Sequence, residues 1–156
     1  MSLSGRNTRE KDELDELAES IVLIMEREDA KIYSRETVSE FRNPANVGRM
    51  EDADGVGIAD GLCADTMEMY IKVDGGRIQR CTFFTDGCGA TIACGSRLTR
   101  LVTGMTGQEA KAVSHEELIS LLNGLPKEHE HCAALAVIAL RNAIRDCERR
   151  VEEGQG

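Results

Sequence analysis

The 156-residue chain has no tryptophan, and aromatic residues of any kind make up only 3% of it. With hydrophobic residues at 41%, its core must be built from Leu, Ile, Val, Ala and Met. No run of about eighteen apolar residues occurs, which excludes a transmembrane helix. The first residues, Met1 to Glu13, are polar and charged and hold no apolar signal core, so a cytoplasmic location is expected. Positive charge is in deficit. Nineteen Lys and Arg stand against twenty-eight Asp and Glu, a net charge of −9. Such a chain repels phosphate backbones, so nucleic acid is not expected as a partner. A basic protein surface or a metal cation suits it better. The loops GxxxxGK[ST], GxGxxG and GxSxG are all absent, which leaves nucleotide binding and serine hydrolysis without a motif.

What the chain does have is cysteine. Six residues, at positions 63, 81, 88, 94, 132 and 147, occur in a chain expected to sit in a reducing compartment. A disulfide framework is therefore not expected, and the thiols should be either buried or ligands.

The hydropathy pattern orders the chain as helices, then strands, then helices. Residues 9–28 read as an amphipathic helix with Leu14, Leu17, Ala18, Ile21, Ile24 and Met25 on one stripe. A short helix starts after Ser34, carries Val38 and Phe41 inward, and ends before Asn43 and Pro44. Met67, Met69, Ile71 and Val73 alternate with Glu68, Tyr70 and Lys72, the pattern of a half-buried strand. Asp74-Gly75-Gly76 is a turn signal, and Arg77 to Thr85 is the return strand of an antiparallel meander. A helix follows from about Cys88 to Thr103, stopped by Gly104. Thr106 with Glu109, and Ser114 with Glu117, match capping boxes for two short helices. A last helix is expected from about Cys132 to Arg150. The pattern has no internal repeat and describes one α+β domain.

The cysteines separate into two sets. Cys63 lies in a Gly-rich loop with Asp65 two residues on. Cys88 and Cys132 each stand at an expected helix start, where free N–H groups and the helix dipole favour a thiolate. His131 is adjacent to Cys132, and His129 lies close by. Cys81, Cys94 and Cys147 fall within regular elements and read as small buried or half-buried thiols. No CxxC pair occurs, so convergence of the first set does not follow from spacing. Three thiolates with Asp65 or His131 as fourth ligand would suit Zn²⁺ or a [2Fe–2S] cluster. An oxygen or nitrogen ligand would make a cluster more labile than four thiolates would.

Five segments carry a family resemblance: FRNPANVG (41–48), GVGIADGLCAD (55–65), MEMYIKVDGGRI (67–78), TDGCGATIACGS (85–96) and HCAALA (131–136). With them, the chain from Tyr33 to Arg150 resembles the IscU/NifU-type iron–sulfur cluster assembly scaffolds. The resemblance implies a three-stranded antiparallel β-sheet with helices packed on one face. It also implies a carrier function, without enzyme activity of its own. Persulfide sulfur from a cysteine desulfurase would be combined with Fe²⁺ into a transient [2Fe–2S] cluster and passed to apo acceptor proteins. Cys63, Cys88 and Cys132 would be the thiolate ligands, Asp65 and His131 the alternatives for the fourth position, and Cys132 the persulfide acceptor. The implied division is an N-terminal helical extension over 1–30, a scaffold domain over 31–150 and a flexible tail over 151–156. The extension is an addition to the family pattern, available to cap the fold or to mediate a homodimer. The alternative reading is a zinc-bound sulfur acceptor that relays sulfur through the same residues. Ala64 stands where the family usually has Gly, which would stiffen the Cys63 loop. Asp86 is expected to raise the pKa of Cys88.

Overall fold

A computed structural model describes residues 4–62 and 64–154 of the chain. It divides into two compact units, Met1–Tyr33 and Ser34–Gly156. The first is a single helix, α1 (Ser4–Ile32), longer at both ends than the apolar stripe alone predicts. Pairs such as Lys31 with Glu28 at 2.9 Å extend it past the last apolar turn. Leu14, Leu17, Ile21, Ile24 and Met25 are exposed along it.

The second unit starts with α2 (Arg35–Arg42), capped by Ser34, whose hydroxyl accepts from the Thr37 N–H at 3.1 Å. The residue it buries fully is Thr37, while Val38 and Phe41 are only partly covered. Thr37 is drawn inward by a hydrogen bond, its hydroxyl donating to the Leu122 carbonyl at 3.2 Å.

Strands β1 (Gly55–Asp60), β2 (Thr66–Asp74) and β3 (Arg77–Thr85) form an antiparallel sheet in the order β1-β2-β3. Gly75 and Gly76 take φ of 59° and 75°, the double left-handed geometry of a tight hairpin turn. Met69 is opposite Phe83, and Ile71 is opposite Cys81. Met67, Met69, Ile71, Phe83 and Cys81 are all buried beneath the helices. The core is otherwise aliphatic, from Leu98, Leu118, Leu122 and Leu140.

Helices α3 (Gly89–Val102), α4 (Gly107–Lys111), α5 (His115–Leu121) and α6 (Glu130–Gly154) complete the unit. Thr106 and Ser114 cap α4 and α5 as the capping boxes predict, accepting from Glu109 N at 3.2 Å and Glu117 N at 3.1 Å. Helix α6 lies directly on β1. A Cβ at Gly57 would run into the Ala139 carbonyl and the Ala143 nitrogen, so glycine is what permits this approach. Asp146 fastens the same pair of elements, accepting from the Val56 N–H at 2.9 Å. Where a tail was expected from Val151, α6 continues to Gly154. An i,i+4 pair from Arg149 to Glu153 at 3.0 Å supports its last turn.

Candidate metal centre

Cys88 is the N-cap of α3, with extended backbone at φ −74° and ψ 180°. Its side chain is exposed. Burial of the sulfur acts to raise its pKa. The N–H groups of Thr91 and Ala90, the Thr91 hydroxyl and the Cys132 thiol outweigh this, and the net shift is downward. Asp86, expected to raise it, is not among the groups that chiefly set the shift. Its carboxyl is engaged elsewhere, accepting from the Thr66 N–H at 2.8 Å.

Cys132 behaves differently from a thiol at a helix start. A 3-10 turn over Lys127–His129 feeds α6, which begins at Glu130, so Cys132 lies inside the first turn and is 1% exposed. Burial pushes its thiol up to about 11, against the Thr91 hydroxyl and with help from Cys88 and Asp65. The helix-start argument therefore holds for Cys88 and is overridden by burial at Cys132.

Asp65 is 8% exposed. The Gly61 N–H donates to its carbonyl at 2.7 Å, closing the loop ahead of β2. A Cβ on Gly61 would occupy the place of Asp65 Oδ1. That oxygen is buried and has no hydrogen-bond partner among the described residues. A buried oxygen of this kind is costly unless something binds it. Ala64 sits at φ +60°, a left-handed conformation that glycine adopts more cheaply. Cys63 lies outside the described residues.

Thr91 ties the set together, a residue the motif reading passed over. It is fully buried one turn into α3. Its hydroxyl lies 3.3 Å from Asp65 Oδ2 and 3.4 Å from Cys132 Sγ, two acceptors that share its single proton, and 3.7 Å from Cys88 Sγ. Its position three residues after Cys88 places it on the same helix face, but nothing in the sequence distinguishes it from an ordinary core threonine. His131 Nε2 is 3.8 Å from Cys132 Sγ. One donor atom each from Asp65, His131 and Cys132 fall within 4.8 Å of one another, and the same holds for Cys88, His129 and Cys132. These residues line an open cleft of about 460 Å³. Asp65, Cys88 and the adjacent pair His131 and Cys132 come from three separate segments and line this one cleft, while Cys63, the remaining residue of the expected set, is not among the described residues. Their sulfur, nitrogen and oxygen donors suit Zn²⁺ or iron, and the unpartnered Asp65 oxygen fits a bound cation.

The remaining described thiols are not in the lining of this cleft. Cys81 is buried in β3, where desolvation pushes it to about 12. Cys94 is buried in α3 and is held well above the usual thiol range, by burial first and then by the Cys132 and Cys88 sulfurs. Cys147 is half-buried on α6. Among the described residues, no helix is long and apolar enough to cross a membrane.

The NifU-like N-terminal domain family matches residues 32–153. The chain is 44% identical over 120 residues to the iron-sulfur cluster assembly scaffold protein IscU 1 of Archaeoglobus fulgidus, a match covering 76% of this chain and 78% of that one. It is 39% identical over 127 residues to the scaffold protein IscU of Aquifex aeolicus, covering 78% and 81% of the two chains. The crystal structure of a NifU-like N-terminal protein from Brucella abortus shares the fold, with a TM-score of 0.63 at 22% identity over 76% of this chain and 96% of that one. Sheet order, site geometry and these matches agree: the chain belongs to the NifU-like N-terminal domain family.

Proposed function

We propose that this protein is a cytoplasmic scaffold on which a [2Fe–2S] cluster is assembled, held and passed on, and that it is a carrier with no turnover chemistry of its own. The observation that carries the reading is that Asp65, Cys88, His131 and Cys132 line one cleft, with Asp65 Oδ1 buried and without a partner among the described residues. Cys63, Cys88 and Cys132 supply thiolates, and Asp65 or His131 the fourth ligand. An oxygen donor from Asp65 binds iron less tightly than a thiolate would, which favours release to apo acceptor proteins.

Sulfur arrives from a cysteine desulfurase as a persulfide. An acceptor thiolate attacks the outer sulfur, a new S–S bond forms, the desulfurase S–S bond breaks, and its cysteine leaves as a thiolate. Cys132 is the acceptor in this reading. Its sulfur is buried but belongs to the lining of the cleft, which is the side from which the desulfurase persulfide would approach. The exposure and lowered pKa of Cys88 favour a second reading, in which Cys88 takes the sulfur first and Cys132 receives it from there.

The test is anaerobic incubation of apo-protein with Fe²⁺, cysteine, a desulfurase and a thiol reductant, which supplies the electrons that turn persulfide sulfur into sulfide, followed by the visible spectrum and metal content. A sulfide-bridged iron chromophore is expected. Recovery of tightly bound zinc alone, with no chromophore, overturns the scaffold reading in favour of a zinc-bound sulfur acceptor.

A further inference from the structure

His129 has no part in the ligand set described so far. It ends the 3-10 turn Lys127–His129, two residues ahead of His131 and three ahead of Cys132. A donor nitrogen of its ring lies within 4.8 Å of both Cys88 Sγ and Cys132 Sγ. The trio of Asp65, His131 and Cys132 satisfies the same limit. The two trios share only Cys132, and they differ in depth. Asp65 is buried and Cys88 is exposed, while His129 and His131 are both half-buried.

We infer that the centre is two overlapping half-sites, and that His129, with Cys88 and Cys132, forms an outer one that captures a single divalent cation of borderline softness. The change from a 3-10 turn to an α-helix between His129 and Glu130 is what makes this arrangement possible. In a continuous α-helix, residues 129 and 131 would point about 200° apart. The tighter turn lets both rings approach the sulfur of Cys132, one beside Cys88 and one beside Asp65.

Two thiolates and one imidazole are a donor set that Zn²⁺, Co²⁺ and Fe²⁺ all accept, with an open fourth position for water or sulfur. Metal–sulfur bonds near 2.3 Å and metal–nitrogen bonds near 2.0 Å put tetrahedral ligands roughly 3.5 Å apart, so only small side-chain rotations are needed to close the outer trio. A cation held there can move inward without leaving the protein. Cys132 stays bound while Asp65 and His131 replace Cys88 and His129. This deepens the scaffold reading and rests on it for the identity of the cation as Fe²⁺. The capture step itself needs no sulfide and no desulfurase.

The test uses metal alone on the full-length apo-protein. ¹¹³Cd²⁺ is added at one equivalent, and coupling from cadmium to the imidazole protons is recorded. Coupling to the His129 ring is expected, and coupling to His131 alone overturns the inference. A Co²⁺ titration read by charge-transfer and d–d bands gives the second arm. H131A should still bind one Co²⁺ through the outer trio, with sulfur-to-cobalt charge transfer. H129A should bind at least about tenfold more weakly with altered d–d bands, since even a group that only supports a ligand costs that much when removed. Unchanged affinity and bands in H129A overturn the proposal. Circular dichroism checks that both variants fold, and the cadmium arm needs no variant. Cadmium coupling to His129 with no cluster on reconstitution would sink the scaffold reading and leave the half-site standing. Normal reconstitution with no such coupling would do the reverse.

Discussion

The Thr91 hydroxyl oxygen lies 3.4 Å from the sulfur of Cys132, in a position where both are buried. The same hydroxyl is the only described partner of the Asp65 carboxyl, at 3.3 Å, and it has one proton to give. T91V keeps the shape and removes the donor. It should destabilise the apo-protein by about 1–3 kcal/mol, the cost of leaving a buried acceptor unsatisfied. Metal binding should reduce the deficit, because a cation would then satisfy Asp65 and Cys132. T91S should recover most of the loss. Thermal melts of apo and zinc-loaded protein check this. An apo T91V that melts with the parent would mean that the hydroxyl does not support the site.

Asp65 carries the next expectation. D65A removes an oxygen donor and an unpartnered buried atom together. A reconstituted cluster should persist several-fold longer in D65A than in the parent, and transfer to an apo acceptor should slow to match. Decay of the visible chromophore measures it. Loss of cluster formation altogether would show that Asp65 is required for assembly.

The two described site thiols should also differ in reactivity. At pH 7 a thiol held at about 11 is ionised to only about one part in ten thousand, and Cys132 is buried besides. Iodoacetamide with peptide mapping should modify Cys88 at least about tenfold faster than Cys132. Cys81 and Cys94, both fully buried, should react only on unfolding. One equivalent of Cd²⁺ should protect Cys88 and Cys132 together. Equal alkylation rates in the apo-protein would contradict the burial of Cys132.

Much of this site is legible in the sequence, and the reasons for the gaps are physical. Cys88 is readable because an N-cap is a local property, set by the turn at Asp86-Gly87 and the helix that follows. The hairpin is readable for the same reason, in Asp74-Gly75-Gly76. The environment of Cys132 is not local. Its burial depends on the 3-10 turn that shifts the start of α6 and on α3 packing beside it. Thr91 escapes notice, and His129 is seen only as a neighbour of Cys132, because Asp65 for the one and Cys88 for the other come from elements tens of residues away. Gly57 looks like loop composition until α6 is laid across it. Thr37 shows the opposite error: an apolar rule selects Val38 and Phe41 for the interior, and a hydrogen bond to Leu122 selects the threonine.

Asp146 yields a pH dependence away from the centre. Its carboxyl is held below the ordinary value of 3.8, first by the Val56 N–H, against an opposing effect of burial, and then by Arg149 and Arg150. A carboxyl depressed on folding adds stability above its unfolded pKa, and that contribution is lost as pH falls through the lower folded value. D146A should therefore cost about 1 kcal/mol at pH 7, chiefly the hydrogen bond to β1. The gap between variant and parent should close as pH drops below about 4. Urea melts at a series of pH values would show this. A gap that widens in acid would mean that Asp146 is not depressed.

Gly57 is the tightest link between sheet and site, because the helix it touches also carries His131 and Cys132. A methyl group there must displace the α6 backbone at Ala139 and Ala143, since neither backbone atom can rotate away. G57A should cost about 3 kcal/mol or more, at the upper end of overpacking. Whatever folds should bind Co²⁺ with broadened d–d bands, because α6 moves relative to α3 and the Cys88–Cys132 spacing moves with it. G107A is the control. A Cβ there meets nothing closer than Ile144 Cγ2 at 3.5 Å, and alanine is the better helix former. Its melting temperature should equal the parent's or exceed it, with unchanged cobalt bands. If G57A and G107A melt alike, the close approach of β1 to α6 does not hold the two halves of the centre in register.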